Sequence, residues 1–221
     1  MGGQRLSYNG SVPTLSQAAV VAVLVVGALA VLSAERRIFW LHAVTKPLAT
    51  ALLFLVVGWP HSRMAGWIDA GIALSLVGDV ALLDQGDRAF IIGLAAFLLA
   101  HVSYVIAFVL AAAWAPWLAL VLLFTGVATF SILRAIWPGT AGMHAPVAAY
   151  GLAITAMVVS AFATLAGPLP HASYAAAGAL LFYASDASLS LNRFRRPIPH
   201  APFLTLGLYW LGQIGIALAT R

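Results

Sequence analysis

The chain contains no cysteine. That excludes disulfides, thiolate metal sites and cysteine nucleophiles. Charge is nearly as scarce: 8% of the 221 residues are Asp, Glu, Lys or Arg, against 63% hydrophobic, and the acids number six. With a mean hydropathy of +1.00, such a composition lies far outside the soluble range and implies a polytopic membrane protein. No basic stripe alternates with exposed aromatics, so nucleic acid is excluded as a partner. The net charge of +5 instead reads as a topology signal and as attraction to anionic lipid. No two histidines have His-x-x-x-His spacing, and neither a Gly-x-Ser-x-Gly elbow nor a phosphate-binding glycine loop is present. The sequence therefore implies no metal and no cofactor.

What it has in abundance is apolar runs. A span needs about 20 mostly apolar residues, and that ruler predicts eight, at about 15–32, 39–58, 66–83, 89–110, 115–136, 144–166, 173–191 and 202–219. The first is longer than a signal-peptide core and reads as a retained helix. The breaks are short and carry turn or charge signals, such as Glu35-Arg36-Arg37, Asp84-Gln85-Gly86-Asp87-Arg88 and Trp137-Pro138-Gly139. Trp40, Trp59, Trp67, Trp114, Trp117 and Trp137 cluster at these ends, as an aromatic belt does. Loops this short make successive helices antiparallel. The expected fold is all-α, an eight-transmembrane-helix bundle forming a single integral membrane domain over residues 1–221, with the lipid bilayer as its surroundings.

Arg36, Arg37, Arg88, Arg134, Arg193, Arg195 and Arg196 fall in loops on one side, and Arg5, Arg63 and Arg221 on the other. The positive-inside rule then puts the arginine-rich loops in the cytoplasm and both termini outside it. In a bacterium the membrane would be the inner one.

Against this background three charged residues stand out. Asp79 and Asp186 lie inside the third and seventh spans, and Lys46 inside the second. An ionisable group at the centre of a span costs about 2.5–3.5 kcal/mol even on the mildest scale, which makes each a functional-site hypothesis. All three are predicted roughly 6–11 Å below the same surface, at 1.5 Å per residue. Hydroxyls share the helical faces of the acids: Ser75 with Asp79, and Tyr183 and Ser190 with Asp186. Pro47 follows Lys46 and frees the carbonyl of Ala43, so a bend is expected there.

Two carboxylates in one apolar pocket do not both stay ionised. One holds a proton and serves as a general acid; the other keeps its charge and serves as a base or cation stabiliser. Such a pair suits an acetal, or a vinyl ether that hydrolyses through a related oxocarbenium ion. Lys46 and the arginine-rich loops suit a phosphate headgroup. Residue types alone leave a second reading equally open, a structural Lys–Asp pair tying helices together. A proton-coupled or small-molecule transporter is a third, because intramembrane carboxylates and a proline-broken helix suit it too. His101 and Tyr104, three apart in the fourth span, read either as packing within the core or as a proton relay and substrate contact. Gln213 and Tyr150 carry weaker signals of that kind, Tyr150 reading chiefly as packing.

At these residues the chain resembles the YhhN family. The matching stretches are Thr45-Lys46-Pro47-Leu48, Leu76-Val77-Gly78-Asp79-Val80-Ala81-Leu82 and Tyr183-Ala184-Ser185-Asp186-Ala187-Ser188-Leu189, with Gly93, Phe97, His101 and Tyr104 between them. The likeness runs from the second span to the eighth. It implies an eight-helix membrane hydrolase, since members of known activity cleave the vinyl ether of lysoplasmalogens. The products are a fatty aldehyde and a glycerophospho-ethanolamine or -choline. Carried over, Asp79 and Asp186 would be the catalytic pair, with Lys46, His101 and Tyr104 around them. Tyr183, Ser190 and Gln213 complete the expected contacts to a lysophospholipid substrate.

Overall fold

The computed structural model describes residues 14–59, 62–84 and 86–221. Arg5, used above for orientation, lies outside the described residues. Among those described, the chain is helical with no strand. In order it forms α1 (Leu15–Glu35), α2 (Phe39–Ala51), α3 (Leu53–Val57), α4 (Arg63–Ala81), α5 (Asp87–Val109), α6 (Leu118–Ile136), α7 (His144–Ala163), α8 (Ala172–Phe194) and α9 (Ala201–Leu218).

Local signals explain several boundaries. Thr14 and Gln17 make a reciprocal capping box at the start of α1, and the Ser62 hydroxyl accepts from Ala65 N at 3.1 Å to start α4. Asp84 Oδ1 accepts from Gly86 N at 2.8 Å and turns the chain into α5. Residues 115–117, expected to open the fifth span, instead form a turn before Leu118; the ring of Pro116 disfavours helical conformation at Ala115.

The second span departs from expectation in a different way. The helix continues past Pro47 and is interrupted at Leu52, where Leu55 N reaches back only three residues to the Leu52 carbonyl. The short α3 then ends at Gly58, whose φ of +71° is open to glycine. Arg221 closes this end from across the bundle, donating Nε–H to the Val56 carbonyl at 2.8 Å. It thereby satisfies carbonyls at the end of α3 that have no partner within the helix.

Among the described residues, seven helical segments are long and apolar enough to cross a membrane, and the protein is a multi-pass integral membrane protein. α8 is the exception among the eight expected spans. Its 23 residues exceed bilayer thickness, but Ser173, Tyr183, Ser185, Asp186, Ser188, Ser190, Asn192 and Arg193 hold its hydropathy below the others. It also extends to Phe194, three residues past the expected end, which puts Asp186 two turns rather than one from the helix terminus.

Lipid supplies the solvent for the outer surface. Phe124 and Phe130 on α6 are 70% and 66% exposed, an arrangement a water-facing helix would not tolerate in bulk. The buried core gathers Val23, Leu53, Ile68, Tyr104, Phe108, Met157, Phe182 and Ile216 from α1, α3, α4, α5, α7, α8 and α9. The most extensive helix pairs are α4–α5 and α8–α9.

α8 and α9 approach closely enough that two glycines are required. A Cβ on Gly178 would stand 2.7 Å from the Gly212 carbonyl oxygen, and one on Gly212 would stand 2.7 Å from Phe182 N. Backbone cannot rotate away as a side chain can, so substitution forces the helices apart. Gly212→Val is expected to destabilise the protein by about 1–3 kcal/mol, read as a lowered melting temperature in detergent. An unchanged melting temperature would mean the helices are not packed this tightly.

Candidate functional site

Two polar clusters form inside the bundle, one around each intramembrane aspartate. Asp79, near the end of α4, is 1% exposed. Thr50 Oγ1 donates to its Oδ2 at 2.5 Å and Tyr209 O–H donates to the same oxygen at 2.9 Å. Lys46 Nζ lies 3.5 Å from Oδ1 and donates to the Asp79 backbone carbonyl at 3.1 Å. Behind them, Gln213 Nε2 donates to Ser75 Oγ at 3.0 Å and accepts at Oε1 from Tyr104 O–H at 2.7 Å. The network thus crosses α2, α4, α5 and α9, and every strongly polar member has a partner, as buried polar groups require.

Asp186 sits in α8 with a smaller set of neighbours. Tyr150 O–H, from α7, donates to Oδ2 at 2.5 Å. His101 Nε2, from α5, stands 3.5 Å from the same oxygen, beyond a normal hydrogen bond. The Asp186 side chain is 13% exposed, against 2% for that of Asp79.

The residual exposure of Asp186 opens into a cavity between α5, α6, α7 and α8 that is itself partly open to the outside. Its walls are Leu94, Phe97, Ile132, Leu133, Ile154 and other apolar side chains, with Tyr150, Tyr183, Asp186 and Ser190 among the few polar ones. At its inner end Thr129 Oγ1 meets Tyr183 O–H at 3.0 Å and Thr155 Oγ1 at 2.8 Å. Leu82, Phe90, Ile136, Val147 and Phe194, which line its other end, lie at or beside the termini of α4, α5, α6, α7 and α8. Those termini belong to the same end of the bundle as Arg88, Arg134, Arg193, Arg195 and Arg196.

The sequence expectations divide between these clusters. Asp186, Tyr183 and Ser190 line the cavity, and His101 approaches it through Asp186. Asp79, Lys46, Tyr104 and Gln213 are not among the cavity's lining residues; they belong to the first cluster. The two carboxylates share no hydrogen-bond partner. Between their neighbours lies an aromatic group: Phe182 is edge-on to His101 (4.9 Å between centroids), Tyr209 (5.3 Å) and Phe97 (6.3 Å). The hydroxyls on Asp79 come from other helices, whereas Ser75, on its own face, bonds Gln213. Ser190 Oγ turns back to the Ala187 carbonyl at 2.9 Å.

Three contributors escaped the sequence reading. Tyr150 read as packing, yet it makes the shortest contact to Asp186. Thr50 lies four residues after Lys46, and Tyr209 four before Gln213; helical spacing from a residue already singled out was the signal for both.

Comparison with known proteins places the chain among named relatives. Lysoplasmalogenase TMEM86B of Homo sapiens is 33% identical over 187 residues, covering 84% of this chain and 77% of the human protein. TMEM86B of Sus scrofa is 29% identical over 182 residues, covering 81% and 75%. A lysoplasmalogenase of Mycobacterium tuberculosis is 34% identical over 164 residues, covering 69% of this chain and 61% of its own length. No solved structure matches the chain. The YhhN family model matches residues 41–220, a stretch that includes Lys46, Asp79, His101, Tyr150 and Asp186, and the chain belongs to the YhhN family.

Proposed function

We propose that this protein is a membrane hydrolase that cleaves the vinyl ether bond of lysoplasmalogen-type lysophospholipids, giving a fatty aldehyde and a glycerophospho-headgroup. The observation that carries the reading is a single carboxylate, Asp186, opening into a mostly apolar cavity, in a chain whose relatives bear the name lysoplasmalogenase. An apolar chain fills such walls, and a lone acid beside it supplies the reaction's one demanding step. In this reading all eight long helices cross the bilayer as one domain. The arginine-bearing loops face the cytoplasm and both termini face away from it.

The chemistry follows from the substrate's electronics. Asp186 transfers its proton to the alkene carbon remote from the ether oxygen. The positive charge this creates is shared between the adjacent carbon and that oxygen. Water adds to the charged carbon, and its proton returns to the Asp186 carboxylate. The resulting hemiacetal collapses to aldehyde and alcohol, so that R–CH=CH–O–R′ and water become R–CH2–CHO and HO–R′. Tyr150 fixes the acid by donating to Oδ2, which leaves Oδ1 to carry the mobile proton. His101 packs beside the carboxyl, with Nε2 3.5 Å from Oδ2. Asp79 acts at one remove: with Lys46 it holds Tyr209, whose ring packs against Phe97 and Phe182 and so shapes the wall behind the substrate. It is thus a positioning residue, while Asp186 touches the reacting atoms.

The test is purified protein in detergent with a lysoplasmalogen and an aldehyde readout. Aldehyde release in proportion to enzyme supports hydrolysis. Binding or vesicle uptake of a solute with no aldehyde would favour a transporter instead.

A further inference from the structure

We propose that Arg193 is the phosphate ligand of the lipid site, held ready by Asp87 and handed over when the headgroup arrives. The proposal deepens the lysophospholipid reading above and rests on it for the identity of the lipid. Asp186, Ser190 and Arg193 are related by i, i+4 and i+7, so they share one face of α8. That face lines the cavity at Asp186 and Ser190. Arg193 stands two turns, about 10.5 Å, nearer the arginine-bearing end, where Phe90 and Phe194 form the rim. Its guanidinium is 4.9 Å from the Phe90 ring centroid, so cation–π contact orients it at this end of the cavity.

An anionic oxygen already occupies the position a phosphate oxygen would take. Asp87 Oδ1, at the start of α5, accepts from Arg193 Nη2 at 2.7 Å. The Asp87 side chain is 82% exposed and that of Arg193 31%. An exposed carboxylate of this kind is weakly held and released at little cost. Phosphate presents more acceptor oxygens to the same planar fork and can bind it bidentately.

The length of the substrate fits the separation. Seven bonds join phosphorus to the alkene carbon that receives the proton. Three bonds of extended chain span about 3.3–3.6 Å, so seven span roughly 8 Å. Adding a hydrogen-bond contact at each end bridges the two turns of α8. A phosphate on Arg193 therefore sets the vinyl ether level with Asp186. Lys46 cannot do this, because it is buried against Asp79 and does not line the cavity.

The test uses the whole protein in detergent and two unreactive probes, a saturated 1-O-alkyl lysophosphocholine and the matching 1-O-alkylglycerol without phosphate. Arg193→Ala is expected to weaken binding of the phosphocholine lipid about tenfold or more and to leave alkylglycerol binding as it was. Arg193→Lys should fall between, since a point charge replaces the fork. Asp87→Asn, which removes the competing charge, should tighten phosphocholine binding by a few-fold. Arg195→Ala, an equal loss of charge off this face, should change little. The proposal is overturned if Arg193→Ala weakens both probes alike or neither, or if Asp87→Asn weakens phosphocholine binding. Should this pattern hold while lysoplasmalogen yields no aldehyde, the hydrolase reading fails and the phosphate site stands. Normal turnover with Arg193 inert gives the reverse.

Discussion

Asp186→Asn is expected to cost at least about 100-fold and up to about 10,000-fold in kcat, the range that general acid catalysis supplies, with little change in melting temperature. The asparagine carbonyl keeps an acceptor for the Tyr150 hydroxyl, which now bonds Oδ2, so the local packing has no reason to collapse. What is lost is the one proton that can be delivered to the alkene carbon from a group opening into the cavity. Because the proton moves only in the transition state, kcat and kcat/KM should fall together, with binding of an unreactive alkyl lysophospholipid nearly unchanged. Tyr150→Phe makes a graded companion. It removes the hydrogen bond that fixes the carboxyl but not the proton, so a smaller loss is expected. The measurement is aldehyde release at several substrate concentrations, alongside a detergent melting curve for each variant. Turnover near that of the unaltered protein from a well-folded Asp186→Asn would remove this carboxylate from the chemistry.

How much of this was visible beforehand depended on the kind of signal. Helical content and short connections were legible because a bilayer imposes a length and a hydropathy that each segment records for itself. The seventh expected span shows where this stops. α8 is found at 172–194, but Tyr183, Asp186 and Ser190 line a cavity and Ser185 bonds the neighbouring α9, so hydropathy alone undercounts it. Lys46, Asp79, His101 and Asp186 stood out because charge or a buried imidazole in a span is costly. Their depth could be counted along each helix, but which of them meet could not, because rotation about a helix axis leaves no mark in a short apolar segment. Hence Ser75, on the same face as Asp79, bonds Gln213 instead, while Thr50 and Tyr209 arrive from α2 and α9. Tyr150 was hidden for another reason. A tyrosine in a span is common as packing, and only its partner distinguishes it.

The ion pair at Lys46 and Asp79 gives the second large effect, and it separates position from chemistry. Asp79→Ala leaves the Lys46 ammonium, only 5% exposed, without its counter-charge, and takes the acceptor from Thr50 and Tyr209. Stranding one member of a buried pair costs about 3–5 kcal/mol, so a large fall in melting temperature and little recoverable protein are expected. Replacing both members by apolar residues of similar size, as in Lys46→Met with Asp79→Leu, removes the stranded charge, and such exchanges are often neutral for stability. The double variant should therefore recover most of the melting temperature lost by Asp79→Ala. Its activity then decides the role of Asp79. If Asp79 only holds Tyr209 and the aromatic wall, the double variant turns over at a reduced rate with a raised KM, because the cavity wall has shifted while Asp186 keeps its proton. If Asp79 takes part in the bond-breaking step, the double variant is stable, binds an alkyl lysophospholipid and releases no aldehyde. The first result is expected, since the cavity proposed for the substrate is lined by Asp186 and not by Asp79.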